Sequence, residues 1–574
     1  MREIEKFAVF LLFGFPAAGL YFGAALTHYL VTGVWLWNVV DLILLFAQSE
    51  LEAGLALYVC LGVGIALGII SLICLLILDG KSAGSKNKKN SAKSNQANRQ
   101  LGNLAKFSAS LEKPRLKDAR TNLHPFAENI GPGLPLGTVK GKTIYQGWRQ
   151  CAVHIHGTGR GKTSSQVVPH AFVAPGPLVV TSNKPDGIWE VMSQRVKVGR
   201  VWVFDPNNVL QRHSSEDKFD ILGIVSDSEK AEKIGEIFEQ ATKGSEQSGM
   251  NPNAHFDKQG AKVLGLLMLA AHLVGKTDND VFSWVMKMEE DEPATILRQH
   301  GFSNQAEILF GLKKQPGDTR GSVWATAQRA VSPFEHEHLL QAIRPGMAKE
   351  NVFDPRDFVT STDTLILIGD KNAGSSAALL SALVYQVFIS AKQAATLQPN
   401  GRLRVPLVMD LDEMGNAVFL PELADMYTYA GSLGIIINTY FQSKAQGDMS
   451  FSADGMKKLI GGAAVFVYGG GSTEPSFLLD VSKLVGTYDK EFQTRSTSYN
   501  SRSGHGHSSG VQIQKREILD ASDLANLPLG EIYIRNSDGD SGIAKARFWF
   551  KDKKMAETVQ QDMQQLKTQE QIGV

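Results

Sequence analysis

The sequence predicts an α/β fold built around a parallel sheet. Short apolar segments alternate with segments at helical spacing along much of residues 121–550. One apolar segment, residues 151–155, leads into a glycine-rich loop, and another, residues 405–411, leads into a pair of acidic residues. Because the carboxyl ends of parallel strands meet at one edge of a sheet, we expect these two strands side by side and the loop close to the acidic pair.

The strongest motif of the chain is residues 156–163, which read HGTGRGKT. A phosphate-binding P-loop usually reads G-x-x-x-x-G-K-[ST], so His156 departs from the pattern, although the glycines that follow still permit a tight turn. A strand, such a loop and the start of a helix present backbone N–H groups and a positive dipole end to a polyphosphate. The nucleotide-binding residues that we predict are Gly157, Thr158, Gly159, Arg160, Gly161, Lys162, Thr163 and Ser164.

The second motif is the acidic end of the strand at residues 405–411. We expect Asp412, together with the hydroxyl of Thr163, to hold Mg²⁺, and Glu413 to orient and deprotonate the attacking water. Lys162 would reach the β- and γ-phosphates. Asp410 lies on the same face of the strand as Asp412, so either could serve the metal, and Asp412 is favoured because Glu413 follows it directly. The two motifs together predict an ATPase that uses ATP and Mg²⁺.

Gln442 is the third predicted catalytic residue. It follows the apolar segment 433–441, which comes next after the acidic strand. In a RecA-like sheet that position faces the γ-phosphate, where an amide can respond to the state of the nucleotide. The alternative is that the Gln442 side chain, at the end of its strand, only forms a hydrogen bond with a loop.

Two apolar stretches near the start predict a two-helix transmembrane hairpin in residues 1–80. The spans, about 7–28 and 55–78, are each long enough to cross a hydrocarbon core of about 30 Å. No Lys or Arg lies between them, and a basic stretch without acidic residues follows at 80–111. The positive-inside rule therefore places both termini in the cytoplasm. A cleaved signal peptide is the weaker alternative, because the first stretch is long and lacks a convincing cleavage site.

Composition divides the rest of the chain. The formal net charge of +1 excludes a protein that is basic overall, and three cysteines exclude a disulfide framework. The Ser-, Gly- and Arg-containing stretch 494–510 predicts a flexible loop. The predicted segments are a basic flexible linker at 81–120, a nucleotide-binding domain at 121–207 and 346–550, an all-α insert at 208–345, and a flexible C-terminal tail at 551–574.

These motifs together resemble the type IV coupling proteins, the TraG-type ATPases of conjugative DNA transfer and type IV secretion. The resemblance runs from the first span to about residue 551, and it includes the segments 181–184 (TSNK), 202–206 (WVFDP) and 434–446. It implies a RecA-like P-loop motor domain with an inserted all-α domain, assembled as a homo-hexamer around a channel in the inner membrane of a bacterium. The implied partners are DNA, relaxase or other relaxosome proteins, and components of a type IV secretion channel.

One departure from the family concerns an arginine that is often found just before the glycine equivalent to Gly434. This chain has none there. An arginine that reaches the nucleotide site of a neighbouring subunit would then come from another position in the chain. Arg402, Arg404 and Arg495 are the candidates.

Two other functions stay open from the sequence. An FtsK-type double-stranded DNA translocase shares the anchor and motor, but usually has more spans and a C-terminal DNA-reading domain. A nucleotide-gated membrane receptor for secreted cargo would use the same site with little motor activity. Stimulation of ATP hydrolysis by DNA separates both motors from the receptor.

Overall fold

The computed structural model describes residues 3–34, 63, 65, 101–123, 130–212, 217–243, 254–288, 290–344, 351–369, 374–414, 418–420, 422–500 and 504–572. The chain divides into two compact units, Met1–Ala97 and Asn98–Val574. In the first unit, the predicted span 7–28 lies within helix α1 (Glu3–Thr32). The predicted span 55–78 lies outside the described residues, apart from Val63 and Ile65.

A membrane-crossing helix is indicated at one place in the described residues, by length and composition. This is Ser375–Thr396, and 78% of its most apolar window is buried inside the protein, as is typical of a core helix. The transmembrane hairpin at residues 1–80 therefore stays a prediction.

The strands of the second unit are β1 (Leu134–Val139), β2 (Lys142–Gln146), β3 (Ala152–Ile155), β4 (Leu178–Ser182), β5 (Val201–Phe204), β6 (Thr364–Ile368), β7 (Leu407–Leu411), β8 (Ile435–Phe441), β9 (Val465–Tyr468), β10 (Thr487–Asn500), β11 (Gly504–Glu517), β12 (Glu531–Asn536) and β13 (Ser541–Lys545). All but β10 and β11 form one sheet in the order β2-β1-β13-β12-β9-β3-β8-β7-β4-β6-β5. From β9 to β5 the neighbours are parallel, and from β2 to β12 they are antiparallel, including the contact of β12 with β9.

The α/β fold is confirmed, but two details of the prediction are wrong. The sheet is mixed and not parallel throughout, because an antiparallel group is added beyond β9. The acidic strand β7 is not beside the P-loop strand β3, since β8 pairs with both and lies between them. Every residue of β3, β7 and β8 is buried, so none of the three strands has the alternating pattern of an edge strand, and the sequence does not specify their order.

The helices of the second unit are α2 (Glu112–Leu123), α3 (Val168–Val173), α4 (Ile188–Arg195), α5 (Ser228–Lys243), α6 (Ala254–Val274), α7 (Asp278–Lys287), α8 (Glu292–Gln299), α9 (Ser303–Lys313), α10 (Gly317–Ala330), α11 (Glu337–Ile343), α12 (Pro355–Phe358), α13 (Gly374–Thr396), α14 (Leu423–Leu433), α15 (Lys444–Gly462), α16 (Pro475–Val485), α17 (Ala521–Ala525) and α18 (Lys553–Ile572). Helices α5 to α12 lie between β5 and β6. The described residues there contain one isolated bridge, Lys218 with Val352, and no strand.

Part of the predicted flexible linker is folded. Residues 101–120 include a 3-10 turn, Leu104–Phe107, and most of α2. Phe107 is fully buried and Leu101 is 2% exposed, and both approach Gly542 of β13. The prediction is therefore wrong for residues 101–120, because these apolar side chains attach the segment to the antiparallel end of the sheet.

The prediction of a flexible C-terminal tail is wrong for residues 553–572. These residues form α18, which packs on α4. Val559 is fully buried, and Ala556 and Leu566 pack against the same apolar cluster. Asp562 accepts a hydrogen bond from Gln194 of α4 at 3.0 Å. One narrow apolar face at helical spacing, hidden among Gln and Lys residues, fixes the helix.

Residues 494–500 and 504–510 of the predicted flexible loop belong to an antiparallel ribbon. In this ribbon Thr487 pairs with Glu517, and Asn500 pairs with Gly504. The prediction of a loop is wrong for these residues, because Thr and Tyr residues within a Ser-rich stretch still favour extended backbone. Residues 501–503 lie outside the described residues.

The contact between α5 and α6 gives a test of the insert. A side chain at Gly265 would collide with the backbone carbonyl of Ala231, whereas a side chain at Gly311 of α9 would meet nothing within 4 Å. We expect Gly265→Ala to lower the free energy of unfolding of the insert by about 1–3 kcal/mol, since the backbones must separate. Gly311→Ala is the matched control and should raise it by up to about 1 kcal/mol. Chemical unfolding followed by circular dichroism measures both, and equal effects would contradict the close packing.

Candidate functional site

The P-loop connects β3 to the helix that follows. Gly159 and Gly161 both have φ of +74°, a conformation that glycine adopts without strain. Gly157 lies directly against the backbone of Gly471, so a side chain there would collide with it. The helix begins as a π-helical turn, Thr163–Val167, and continues as α3. The sequence thus produces the strand, tight loop and helix start that a phosphate-binding loop requires.

His156 occupies the first position of the loop, where the usual motif has glycine. Its side chain is 1% exposed, and its ring packs against Gly469, where any side chain would collide with it. Burial, followed by the charges of Lys162 and Arg160, lowers the pKa of His156 to about 3. The imidazole is therefore neutral at physiological pH, and a glycine on the neighbouring strand end makes room for it.

The acidic pair lies against the P-loop. The Thr163 hydroxyl donates to Asp412 Oδ2 at 2.6 Å. Lys162 Nζ lies 2.9 Å from Asp412 Oδ1 and 2.6 Å from Glu413 Oε1. Glu413 has φ of +55°, in the left-handed region that costs a non-glycine residue energy, and its N–H donates to Asp412 Oδ1 at 2.9 Å. The structure therefore brings together the four residues to which the two motifs gave roles in binding the γ-phosphate, the metal and the attacking water.

The charges of this cluster depend on one another. Burial opposes the charge on Lys162, but Asp412 and Glu413 outweigh it and raise the pKa of the lysine. Burial raises the pKa of Asp412, which is 2% exposed. Burial also acts against the charge of Glu413, but Lys162 and the amide of Gln442 together lower its pKa. Glu413 is therefore ionised at neutral pH, as a group that accepts a proton must be.

Gln442 and Thr158 complete the rim of the cluster. Gln442 Nε2 donates to Glu413 Oε1 at 2.9 Å and to Oε2 at 3.0 Å. The Thr158 hydroxyl donates to Gln442 Oε1 at 3.4 Å. Gln442 therefore links the first half of the P-loop to the predicted general base, and does more than bond to a loop.

Asp410 has a different environment from Asp412. It is completely buried and accepts hydrogen bonds from Asn438 Nδ2 at 2.8 Å and from the Tyr440 hydroxyl at 2.9 Å. His170 Nδ1 of α3 lies 3.0 Å from Asp410 Oδ2. These contacts connect the P-loop helix with β7 and β8, the strands that position Asp412 and Gln442. The geometry therefore favours Asp412 as the metal ligand and gives Asp410 a role inside the sheet.

The other predicted nucleotide-binding residues lie on the loop itself. Arg160 Nε donates to the carbonyl of Gly469 at 3.0 Å, and its Nη2 donates to the carbonyl of Leu527. Ser164 is half-buried in the π-helical turn after Thr163. The side chain of Arg160 thus points to the protein around the loop and stabilises it, while Ser164 is at the helix start.

Of the three candidate arginines, Arg402 is excluded as a residue that reaches a neighbouring subunit. It is 5% exposed and donates to the carbonyls of Gly431, at 3.2 Å, and Trp148. Burial, followed by the charge of Arg149, lowers its pKa to about 10. Arg404 is exposed and donates to Gln398 at 3.0 Å, and the side chain of Arg495 lies outside the described residues.

Sequence reasoning missed the residues that surround the loop. Gly469, Gly470 and Gly471 follow β9 and approach the loop closely. The ring of Phe548, far along the chain, touches Gly161. A triple glycine after an apolar strand was a usable signal, because consecutive glycines indicate a close backbone approach. The position of Phe548 gave no such signal.

The residues fit Mg²⁺ and a polyphosphate. The Thr163 hydroxyl and the Asp412 carboxylate supply oxygen ligands, and Mg²⁺ is usually held by one or two carboxylates, substrate phosphates and water. Lys162 supplies the positive charge, and the loop supplies N–H groups. The site can therefore hold a magnesium-bound nucleotide.

Comparison with known proteins gives a family match in the second half of the chain. Residues 406–529 match the family model described as "TraM recognition site of TraD and TraG". This range contains the acidic pair and Gln442. No curated protein matches the sequence.

Solved structures share the fold. The bacterial conjugative coupling protein TrwBdeltaN70, in an unbound form, aligns with a TM-score of 0.53 and 18% identity over 72% of this chain and 88% of its own. The plasmid coupling protein TrwB in complex with ADP and Mg²⁺ aligns with a TM-score of 0.51 and 17% identity over 70% of this chain and 85% of its own. The family match and the shared fold confirm the resemblance to the type IV coupling proteins.

The buried His156 predicts a dependence of stability on pH. The folded protein binds no proton at His156 above about pH 3, whereas the unfolded chain binds one below about 6.5. The unfolded state therefore holds more protons between these values, and stability falls as the pH falls below 6.5. In the wild type the free energy of unfolding should fall with decreasing pH, in part because of His156. We expect His156→Gln to make this fall smaller by about 1.4 kcal/mol per pH unit between about pH 6 and 4.

Chemical unfolding at a series of pH values measures the effect. The control is His338→Gln, which removes an exposed imidazole of the insert and should keep the wild-type slope. An unchanged slope in His156→Gln would mean that the imidazole is protonated in the folded protein.

Proposed function

We propose that this chain is a type IV coupling protein, a membrane-anchored ATPase that couples a relaxase–DNA substrate to a type IV secretion channel. The observation that carries the proposal is the contact of Lys162 with both Asp412 and Glu413, beside Thr163 and Gln442. This arrangement has a phosphate-binding cation, a metal ligand pair and a candidate general base within hydrogen-bond distance of one another. The structure of TrwB with ADP and Mg²⁺ supports ATP and Mg²⁺ as the ligands.

Lys162 is the group that the two motifs share. Asp412 and Glu413 neutralise its charge in the structure. The β- and γ-phosphates compete for the ammonium group, so Lys162 turns towards them and its contact with Glu413 weakens. Glu413 then keeps its hydrogen bonds from Gln442 and is able to accept a proton.

The residues around Lys162 supply the other groups that ATP hydrolysis requires. Mg²⁺, when bound, neutralises charge on the phosphate oxygens. The Thr163 hydroxyl and Asp412 would hold it, Glu413 would take the proton of the attacking water, and the loop N–H groups would bind phosphate oxygens. Gln442 contacts Glu413 on one side and Thr158 on the other, so it can respond to a change at either.

The partners follow from the family and from the sequence. The family model over residues 406–529 is described as a TraM recognition site, which supports a contact with relaxosome proteins in that region. DNA, a relaxase and channel components are the further partners that we propose, with the helical insert selecting the cargo. The predicted hairpin at residues 1–80 would anchor six copies in the inner membrane, with both termini in the cytoplasm.

Substitutions at the acidic pair test the chemistry. We expect Glu413→Gln to bind ATP but to lower kcat by about 10²- to 10⁴-fold, since an amide does not accept the proton. Asp412→Ala should lose binding that depends on Mg²⁺. Asp410→Asn should lower stability while Mg²⁺-dependent binding survives, because its contacts are inside the sheet.

Nucleotide binding with and without Mg²⁺, ATP turnover and thermal unfolding separate these outcomes. Glu307→Gln, which removes an exposed carboxylate of the insert, is the matched control. If Glu413→Gln turns over ATP at a rate near that of the wild type, Glu413 is not the general base. If the folded Asp410→Asn protein loses Mg²⁺-dependent nucleotide binding, Asp410 is the metal ligand.

Assembly should control the rate. Tethering in one plane raises the effective concentration of subunits, so we expect a fragment of residues 98–574 to be slow and largely monomeric, and DNA or the membrane segment to restore turnover. The measurement is ATPase rate against protein concentration for both proteins, with and without DNA. Equal specific activity that does not change with concentration would contradict assembly. DNA without effect on the full chain would favour a receptor over a motor.

A further inference from the structure

A short aromatic segment between β13 and α18 lies on the P-loop. We call it the aromatic strap, residues 547–551. The ring of Phe548 touches Gly161, so any side chain at Gly161 would collide with it. Phe548 is 6% exposed and Trp549 is 9% exposed, and Trp549 belongs to the main apolar cluster. These two rings fix the strap to the loop and to the body of the protein.

The third ring of the strap is not buried. Phe550 is 49% exposed. Its ring centre lies 5.3 Å from that of Phe548 and 5.8 Å from that of Trp549. A large apolar ring held by two buried neighbours, beside a phosphate-binding loop, is a surface on which another flat ring can stack.

The strap crosses the P-loop from one side of β3 to the other. Glu413 and Gln442 follow β7 and β8, which lie on one side of β3 in the sheet. The strap follows β13, and Ala546 at its start donates to the carbonyl of Gly530 beside β12. Strands β9, β12 and β13 lie on the other side of β3. The strap then leads into α18, which packs on α4 beyond β7, so it passes over the loop at Gly161.

A nucleoside triphosphate is an elongated ligand. With its γ-phosphate at Glu413 and its β-phosphate on the loop, its nucleoside end extends past the loop, and the strap is the aromatic segment that contacts the loop there, at Gly161. We propose that the aromatic strap is the nucleobase site of this protein, with the base stacked on Phe550 and with Phe548 positioning the strap against Gly161. This inference rests on the proposed nucleotide binding and adds the residues that bind the base.

The test compares ligands with and without a base. In the full-length protein, we expect Phe550→Ala to raise the Kd for ADP by about 5- to 100-fold, the loss of one base–aromatic stack, and to leave the Kd for inorganic tripolyphosphate unchanged. Phe550→Trp should keep the wild-type Kd for ADP. In turnover, Phe550→Ala should raise KM for ATP with little change in kcat, since the ring contacts no reacting atom.

The control is Leu397→Ala, which removes a side chain that is 84% exposed at the end of α13. It should change neither Kd. An unchanged Kd for ADP in Phe550→Ala, or an equal loss for ADP and tripolyphosphate, would overturn the nucleobase site while the proposed ATPase stands. Failure of the wild-type protein to bind ADP and tripolyphosphate would overturn both.

Discussion

The ion cluster of Lys162, Asp412 and Glu413 is the interaction on which the site depends. Three charges share a largely buried space, and each carboxylate is stabilised by the one ammonium group. Removing a charge from such a cluster leaves its partner uncompensated, which is costly in a buried site. The left-handed backbone of Glu413 adds to this cost and persists because the cluster and Gln442 hold it in place.

The same cluster joins the phosphate-binding lysine to the two predicted catalytic carboxylates. Lys162 is the group that phosphates would attract, and it is already bound to the residues that act on water and metal. Binding of a polyphosphate would therefore exchange the carboxylate partners of Lys162 for phosphate oxygens, while Gln442 stays bonded to Glu413. Thr158 and Gln442 connect this exchange to the first half of the loop.

Buried polar contacts beneath the site fix its geometry. Asp410 joins α3, β7 and β8 through His170, Asn438 and Tyr440. Glycines after β9 pack against the loop on the other side, and the ring of Phe548 packs against it at Gly161. The loop is therefore supported from both sides of β3, by a hydrogen-bond network and by close packing. Its glycines are needed for space as well as for backbone conformation.

The sequence by itself determined the α/β class and the residues of the two motifs. Local patterns carry this information, because a P-loop and an acidic strand end are continuous segments whose chemistry does not depend on distant neighbours. Apolar strands and helical spacing likewise predicted the sheet and the helices of the insert. The membrane hairpin rests on the same kind of pattern and stays a prediction.

Only the tertiary structure decided which elements lie next to each other. Strands β3, β7 and β8 are equally buried, so the sequence does not specify that β8 separates the other two. Asp410 and Asp412 share one strand face, and what distinguishes them is that His170 and Asn438 approach the first while Thr163 approaches the second. Phe548 reaches the loop from a position 387 residues further along the chain. Such contacts arise from packing between distant segments, and no local pattern records them.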